Sequence, residues 1–276
     1  MSSGIAILVM TQTQNKGVIY IASGKRYIEE ACRSAASLKQ WLPNISVTLF
    51  SDQEYSSPHF ENVIVFSELG SWTTDQKSPK VVYMYQSPYD YTLYLDTDTY
   101  ICDDISDIFS LLEHYDIAAA HSPLRSGKTR EGIPDSFPEM NSGIIAFRKS
   151  PEVKEVFSKW LELYKIDRAA WKIWYCPDQP SFRAALYGSS LKIATLPPEY
   201  NCRFIYPVYV DGKVKILHGH YGDMPAIEAE INKKTKMRCF LIGVGVVGIE
   251  DKRPLITLIQ QKLAHKIRNL YKTLRF

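Results

Sequence analysis

Short apolar runs alternate with segments of helical period along most of this chain, and that alternation limits the fold more than any other feature. Residues 18–22 read as a buried strand and 47–50 and 63–66 as the next two, all too short for helices and rich in Val, Ile and Phe. Between the first two, residues 27–41 carry Ile28, Ala31, Cys32, Ala35 and Leu38 along one helical face, and Pro43-Asn44 ends the segment. The pattern continues with a short helix at 80–86, a strand at 91–95, a helix at 105–112 and a strand at 117–120. A long Pro-, Gly- and Ser-rich loop covers 121–139; a strand at 143–147, helices at 151–164 and 179–187 and a late strand at 216–218 follow. Strands joined through helices make βαβ units, which require a mostly parallel sheet with helices packed on it. The predicted fold class is therefore α/β, a single Rossmann-like domain with a mostly parallel central sheet.

Composition supports one globular body with an appendage. The chain has 276 residues, 45% apolar and 23% charged, which excludes wholesale disorder or a fibrous repeat. Its net charge of +3 hides an asymmetry. Residues 231–276 hold eleven basic and two acidic residues, a surplus of nine, so residues 1–230 carry a deficit of six. We accordingly expect a domain over 1–230 and a basic C-terminal extension over 231–276, ending in an amphipathic helix at 255–274. Five scattered cysteines with no C-x-x-C argue against a zinc knuckle or a disulfide framework and fit a reducing cytoplasm. The apolar run at 5–10 is too short for a signal-peptide core, and 240–249 is about half of a spanning helix.

The most informative stretch is Tyr91-Thr-Leu-Tyr-Leu-Asp96-Thr97-Asp98. An apolar strand delivers two carboxylates to the end of a sheet, where open α/β folds bind ligands. A spacing of two puts both side chains on one side if the strand geometry continues. Two such carboxylates repel each other, and a divalent cation removes that cost. Hard oxygen donors suit Mn²⁺ or Mg²⁺, ions that commonly sit between carboxylates and substrate phosphates. A solvated acidic turn is the plainer reading of the same residues. Likewise His218, closing an apolar strand, is either a third ligand or a hydrogen-bonded core histidine. Asp178, after Pro177 and before a helix, is by itself a good N-cap.

In their order, these residues and others resemble the GT-A glycosyltransferases, enzymes that use nucleotide sugars, and most closely the glycogenin and bacterial lipopolysaccharide galactosyltransferase type. The resemblance runs from about Val18 to Pro225. It rests on the strand and turn ending in Ala22-Ser23-Gly24, on Tyr27 and Ser34–Leu38, on Leu93-Tyr-Leu-Asp96-Thr97-Asp98, on Met140-Asn141-Ser142-Gly143, on Pro177-Asp178-Gln179-Pro180 and on Leu217-His218-Gly219. It implies a metal held by Asp96, Asp98 and His218, with His220 as the alternative histidine. It implies a nucleoside diphosphate sugar, UDP-linked, against Ala22, Ser23, Tyr27, Lys80, Thr97, Asn141, Ser142 and Gly143, with Lys77 competing with Lys80. Asp178 and Gln179 become the catalytic candidates beneath the sugar ring. Of the Gly, Lys, Pro and Trp that follow the family's metal histidine, only Gly222 and Pro225 remain, so a lysine expected at phosphate is missing. Asp135, Glu139 and Asp223 are candidates for a general base.

Two other enzyme-like patterns are weaker. Gly243-Val-Gly245-Val-Val-Gly248 fits a dinucleotide fingerprint by letter, but Pro254 interrupts and no acidic residue lies beyond Asp251. Asp96-Thr-Asp98 is similar to the motif of haloacid-dehalogenase-type phosphatases, which place it on the first strand and put Thr where this chain has Tyr100. A catalytically inactive nucleotide-sugar-binding module is a further alternative. The tail interleaves Leu, Ile, Tyr and Phe with Lys and Arg, a pattern suited either to an anionic membrane surface or to packing on the domain. The former fits a peripheral cytoplasmic enzyme with a glycan or lipid-linked acceptor. The acidic body and the lack of a reader motif argue against nucleic acid. Nothing in the residues bears on oligomeric state.

Overall fold

A computed structural model describes residues 15–66, 78–122, 124–125, 130–170, 176–220, 222–241, 245–248 and positions 259, 260, 263, 264 and 267. In chain order the elements are β1 (Lys16–Ala22), α1 (Lys25–Trp41), β2 (Ser46–Ser51), β3 (Asn62–Val65), α2 (Ser78–Tyr85), β4 (Tyr91–Leu95), β5 (Thr99–Ile101), α3 (Ile108–Leu111), β6 (Ile117–His121) and β7 (Met140–Arg148). They continue with α4 (Pro151–Ala170), α5 (Gln179–Tyr187), β8 (Ile193–Leu196), β9 (Val208–Val210), β10 (Ile216–His218), α6 (Met224–Ile231), β11 (Arg238–Leu241) and β12 (Gly245–Gly248).

Seven strands make the central sheet in the order β3-β2-β1-β4-β7-β6-β8. Six run in one direction; β7 alone is antiparallel to both neighbours. The period-2 geometry of β1 explains the layering. Val18, Tyr20 and Ala22 face one core with Ile28, Ala31, Ala35 and Leu38 of α1. Ile19 and Ile21 face the other, with Met84 of α2, Phe157 and Trp160 of α4 and Phe182 of α5. A strand buried on both faces must be apolar throughout, which is why these strands read as continuous runs. All five cysteines are free thiols.

Three features depart from the sequence reading. The strand expected at 143–147 begins three residues earlier, at Met140, because His121 pairs with Met140 across β6 and β7. Asn141, Ser142 and Gly143 therefore sit inside a sheet rather than where a loop meets one. The helix expected at 105–112 is a single turn, Ile108–Leu111.

The third concerns the stretch after residue 230, which begins as part of the folded body. β11 pairs with β9 and β12, and Ile231 and Phe240 join a satellite core with Cys202, Phe204 and Leu217. Arg238, counted above among the basic residues of the extension, is fully buried. It donates to the carbonyls of Ile231 at 2.7 Å and Gly212 at 2.8 Å, so it staples this sheet rather than charging a surface. Of the helix expected at 255–274, positions 259, 260, 263, 264 and 267 are helical, and the rest lies outside the described residues. Gly243 of the rejected fingerprint also lies outside them; Gly245 and Gly248 bound β12.

Candidate active site

The site forms where β4 ends. The strand geometry does not continue through Asp96 and Asp98; the chain turns and re-enters a second, two-stranded sheet as β5. β5 pairs antiparallel with β10, which puts His218 opposite Thr99, one residue after Asp98. This pairing, rather than continued β4, brings the triad together. One ligand atom each from Asp96, Asp98 and His218 lies within 4.8 Å of the others. His218 Nε2 is 3.7 Å from Asp96 Oδ2 and 3.4 Å from Asp98 Oδ1. Burial works against ionising Asp98, but its neighbours His218 and His220 outweigh it and hold its carboxyl well below the usual range.

The triad suits a divalent cation on two grounds. Its donor set is two carboxylates and an imidazole nitrogen, which Mn²⁺ and Mg²⁺ accept. The other ground is Gly143. Its backbone N–H is paired to Asn141 and its carbonyl accepts from Asp96 N at 2.7 Å, so β7 runs hard against the carboxylate. A Cβ at this position would lie 2.5 Å from Asp96 Oδ2 and 2.9 Å from His218 Nε2. Glycine leaves open the space that both ligand atoms face.

One wall of the site is buried and cross-tied. Lys80, the third residue of α2, places its ammonium 3.1 Å from Asp96 Oδ1 and 3.4 Å from Asp178 Oδ2. It also lies 5.0 Å from the centre of the Tyr94 ring. The Tyr94 hydroxyl donates to Asp96 Oδ1, which leaves Oδ2 for the triad. Burial, then the charge of Asp96, pushes the Tyr94 phenol far above its ordinary range, so it keeps its proton. Asp178 does not cap α5 with its side chain. Its carboxylate turns instead to Lys80 and to the Ser142 hydroxyl, which donates at 3.2 Å. The plainer N-cap reading is thereby displaced, and Trp160 Nε1 fixes the position through the Asp178 carbonyl. Asn141 Nδ2 donates to Gln179 Oε1 at 2.9 Å, and Gln179 Nε2 donates to Glu139.

The opposite wall is open. Ser23 donates to Asp52 at the end of β2, as does the backbone N–H of Gly24, whose φ of 79° favours glycine. Ala22 is buried at the end of β1, while Tyr27 projects from α1 under the Arg26 guanidinium. Thr97 donates to Glu30 at 3.2 Å, and His220, half exposed, lies 3.5 Å from Glu30 and 3.7 Å from Asp98 Oδ2. Arg26, Glu30, Asp98, His220, Gly222 and Pro225 line a cleft of about 760 Å³ beside the triad.

Of the residues singled out from sequence, Lys80, Asp96, Asp98, Asn141, Ser142, Gly143, Asp178, Gln179 and His218 meet in one network; Thr97 lines the cleft, Tyr27 lies beside His220, and Ala22 and Ser23 sit at the β1–α1 turn. Lys77 lies outside the described residues. Asp135 pairs with Arg125, and Asp223 caps α6 through Ala226 N. Sequence reasoning missed Tyr94, whose place in the strand before Asp96 was a usable signal, and Asn201, for which no motif or period gave one.

The fold is that of the GT-A glycosyltransferases. Among solved structures the chain is similar to the glycosyltransferase GlyE of Streptococcus pneumoniae TIGR4, with a TM-score of 0.52 and 20% identity over 76% of this chain. The chain spans 56% of the length of that protein. It also aligns with the galactosyltransferase LgtC, solved with donor and acceptor sugar analogues, at 13% identity and a TM-score of 0.49 over 67% of this chain and 74% of that one. No protein-family model and no curated protein sequence matches it.

Proposed function

We propose that this chain is a metal-dependent glycosyltransferase that moves a sugar from a nucleoside diphosphate donor, with UDP as the nucleotide, to a glycan or lipid-linked acceptor. The observation that carries this reading is the convergence of Asp96, Asp98 and His218 at the ligand-binding edge of a GT-A sheet. These three residues would hold Mn²⁺ or Mg²⁺, which as a Lewis acid offsets negative charge on the departing diphosphate. Lys80 orients Asp96 and holds the Asp178 carboxylate beside it. Asn141 and Gln179, with amides oriented by neighbours, are set to bind sugar hydroxyls. We assign Asp178 to charge stabilisation beneath the sugar ring. Ser23, Tyr27 and Thr97 make the nucleotide side. Isothermal titration with UDP and Mn²⁺ tests the reading. Metal-dependent binding that Asp98→Ala abolishes is expected; absent or metal-independent binding overturns it, and phosphate release from simple monoesters points to the phosphatase instead.

The acceptor side of the proposal involves the tail. Among the described residues no helix is long and apolar enough to cross a membrane. We assign residues 255–276 to an anionic membrane surface, making this a peripheral enzyme of the cytoplasmic face. Flotation on vesicles containing phosphatidylserine should bring up the full chain but not a form lacking 250–276; equal behaviour of the two rejects the assignment.

A further inference from the structure

His218 has a second nitrogen, and a buried partner takes it. Nδ1 lies 2.7 Å from Asn201 Oδ1, and both side chains are almost wholly buried. The direction of this bond follows from the backbone. The N–H of Gly143 can only donate, and it donates to Asn141 Oδ1 at 3.1 Å. That fixes which end of the Asn141 amide is oxygen. Asn201 Nδ2 donates to the same oxygen at 3.0 Å, so the Asn201 oxygen is the end that faces the histidine. An acceptor at 2.7 Å requires a proton on Nδ1, and neutral imidazole then carries its lone pair on Nε2. Nε2 is the atom that faces Asp96 and Asp98.

We propose that Asn201 is a positioning residue: it holds His218 in the tautomer and ring orientation whose Nε2 lone pair serves the cation site. This rests on the metal reading of the triad. Asn201 follows the single 3₁₀ turn Pro198–Tyr200, and its backbone N–H donates to Pro198 O. Cys202, the next residue, bridges to Leu217, so the loop that carries Asn201 is registered directly on the strand that carries His218. The same amide chain continues through Asn141 to Gln179. The orientation of the histidine and that of the group assigned to the sugar are thereby set by one backbone donor.

Two variants and a spectroscopic measurement test this. Asn201→Leu removes the acceptor at similar volume, whereas Asn201→Asp keeps it. Titration of the full chain with Mn²⁺ alone should show affinity falling about 10- to 100-fold in Asn201→Leu and returning close to the wild-type value in Asn201→Asp. Nitrogen NMR of metal-free, ¹⁵N-histidine-labelled protein, above the imidazole titration, should show His218 protonated on Nδ1 in the wild type and in Asn201→Asp. Failure of the wild type to bind Mn²⁺ overturns the metal reading and this proposal with it. Undiminished binding in Asn201→Leu, or a proton on Nε2 in the wild type, overturns the proposal alone, and the wild-type spectrum decides even if the leucine variant does not fold.

Discussion

The two walls of the site solve different physical problems. On the side built by α2, β7 and the start of α5, every polar group named is buried, and each is held by a partner from another element. On the side built by the β1–α1 turn, α1 and the loop after β10, Tyr27 is 45% exposed and His220 is 53% exposed. Their neighbours there are the partly buried carboxylates of Glu30 and Asp98 and the exposed Arg26 guanidinium. In a low-dielectric interior a hydrogen bond is stronger and an unmade one costs more, so a buried polar wall is rigid and intolerant of change. Exposed pairs contribute about 0–1 kcal/mol and leave side chains free to adjust. Two histidines two residues apart fall on opposite walls, and only His218 has its second nitrogen held by an amide.

That contrast can be broken most severely at Lys80. Replacing it with Met leaves the carboxylates of Asp96 and Asp178 without the ammonium between them. Unfolding in urea should show a loss of about 3–5 kcal/mol, and transfer should fall further than stability alone explains. Next is Gly143→Ala, whose methyl would meet His218 and Asp96; we expect about 1–3 kcal/mol of destabilisation and at least about tenfold weaker Mn²⁺ binding by calorimetry. A smaller effect is expected from His220→Ala. Its stability should stay within about 0.5 kcal/mol of the wild type, and its Mn²⁺ affinity should change far less than in His218→Ala; equal losses would erase the distinction between the walls. The smallest is Tyr27→Ala, which should raise the donor KM a few-fold and leave kcat unchanged, the mark of uniform binding lost.

The parts of this molecule that were legible in the sequence are those encoded locally. β1 to β4 and α1 announce themselves by period, and Asp96 and Asp98 by the apolar strand before them. What stayed hidden depends on contacts between distant residues. β5 is three residues long, too short for a period, yet its pairing with β10, itself legible as a late strand, is what brings His218 to the two carboxylates. The Asn201 side chain makes its bonds to residues 17 and 60 positions away, with no motif in its own neighbourhood to mark it. Asp178 carried a correct local signal for a cap, and a buried lysine overrode it. Arg238 looked like one more basic residue of a tail because burial leaves no trace in a charge count.

The reversal of β7 has an effect on how such a protein can diversify. Because β6 runs toward the site and β7 runs back from it, the connection over 122–139 leaves from and returns to the same edge of the sheet. Its return is clamped from below, where the buried Arg183 donates to the carbonyls of Pro134 and Phe137. A segment anchored in this way can be lengthened, shortened or exchanged without shifting the register of any strand. Variation thus has a segment to work on that lies apart from the Asp96, Asp98 and His218 triad, and only its last residue, Glu139, is tied to the buried wall through Gln179.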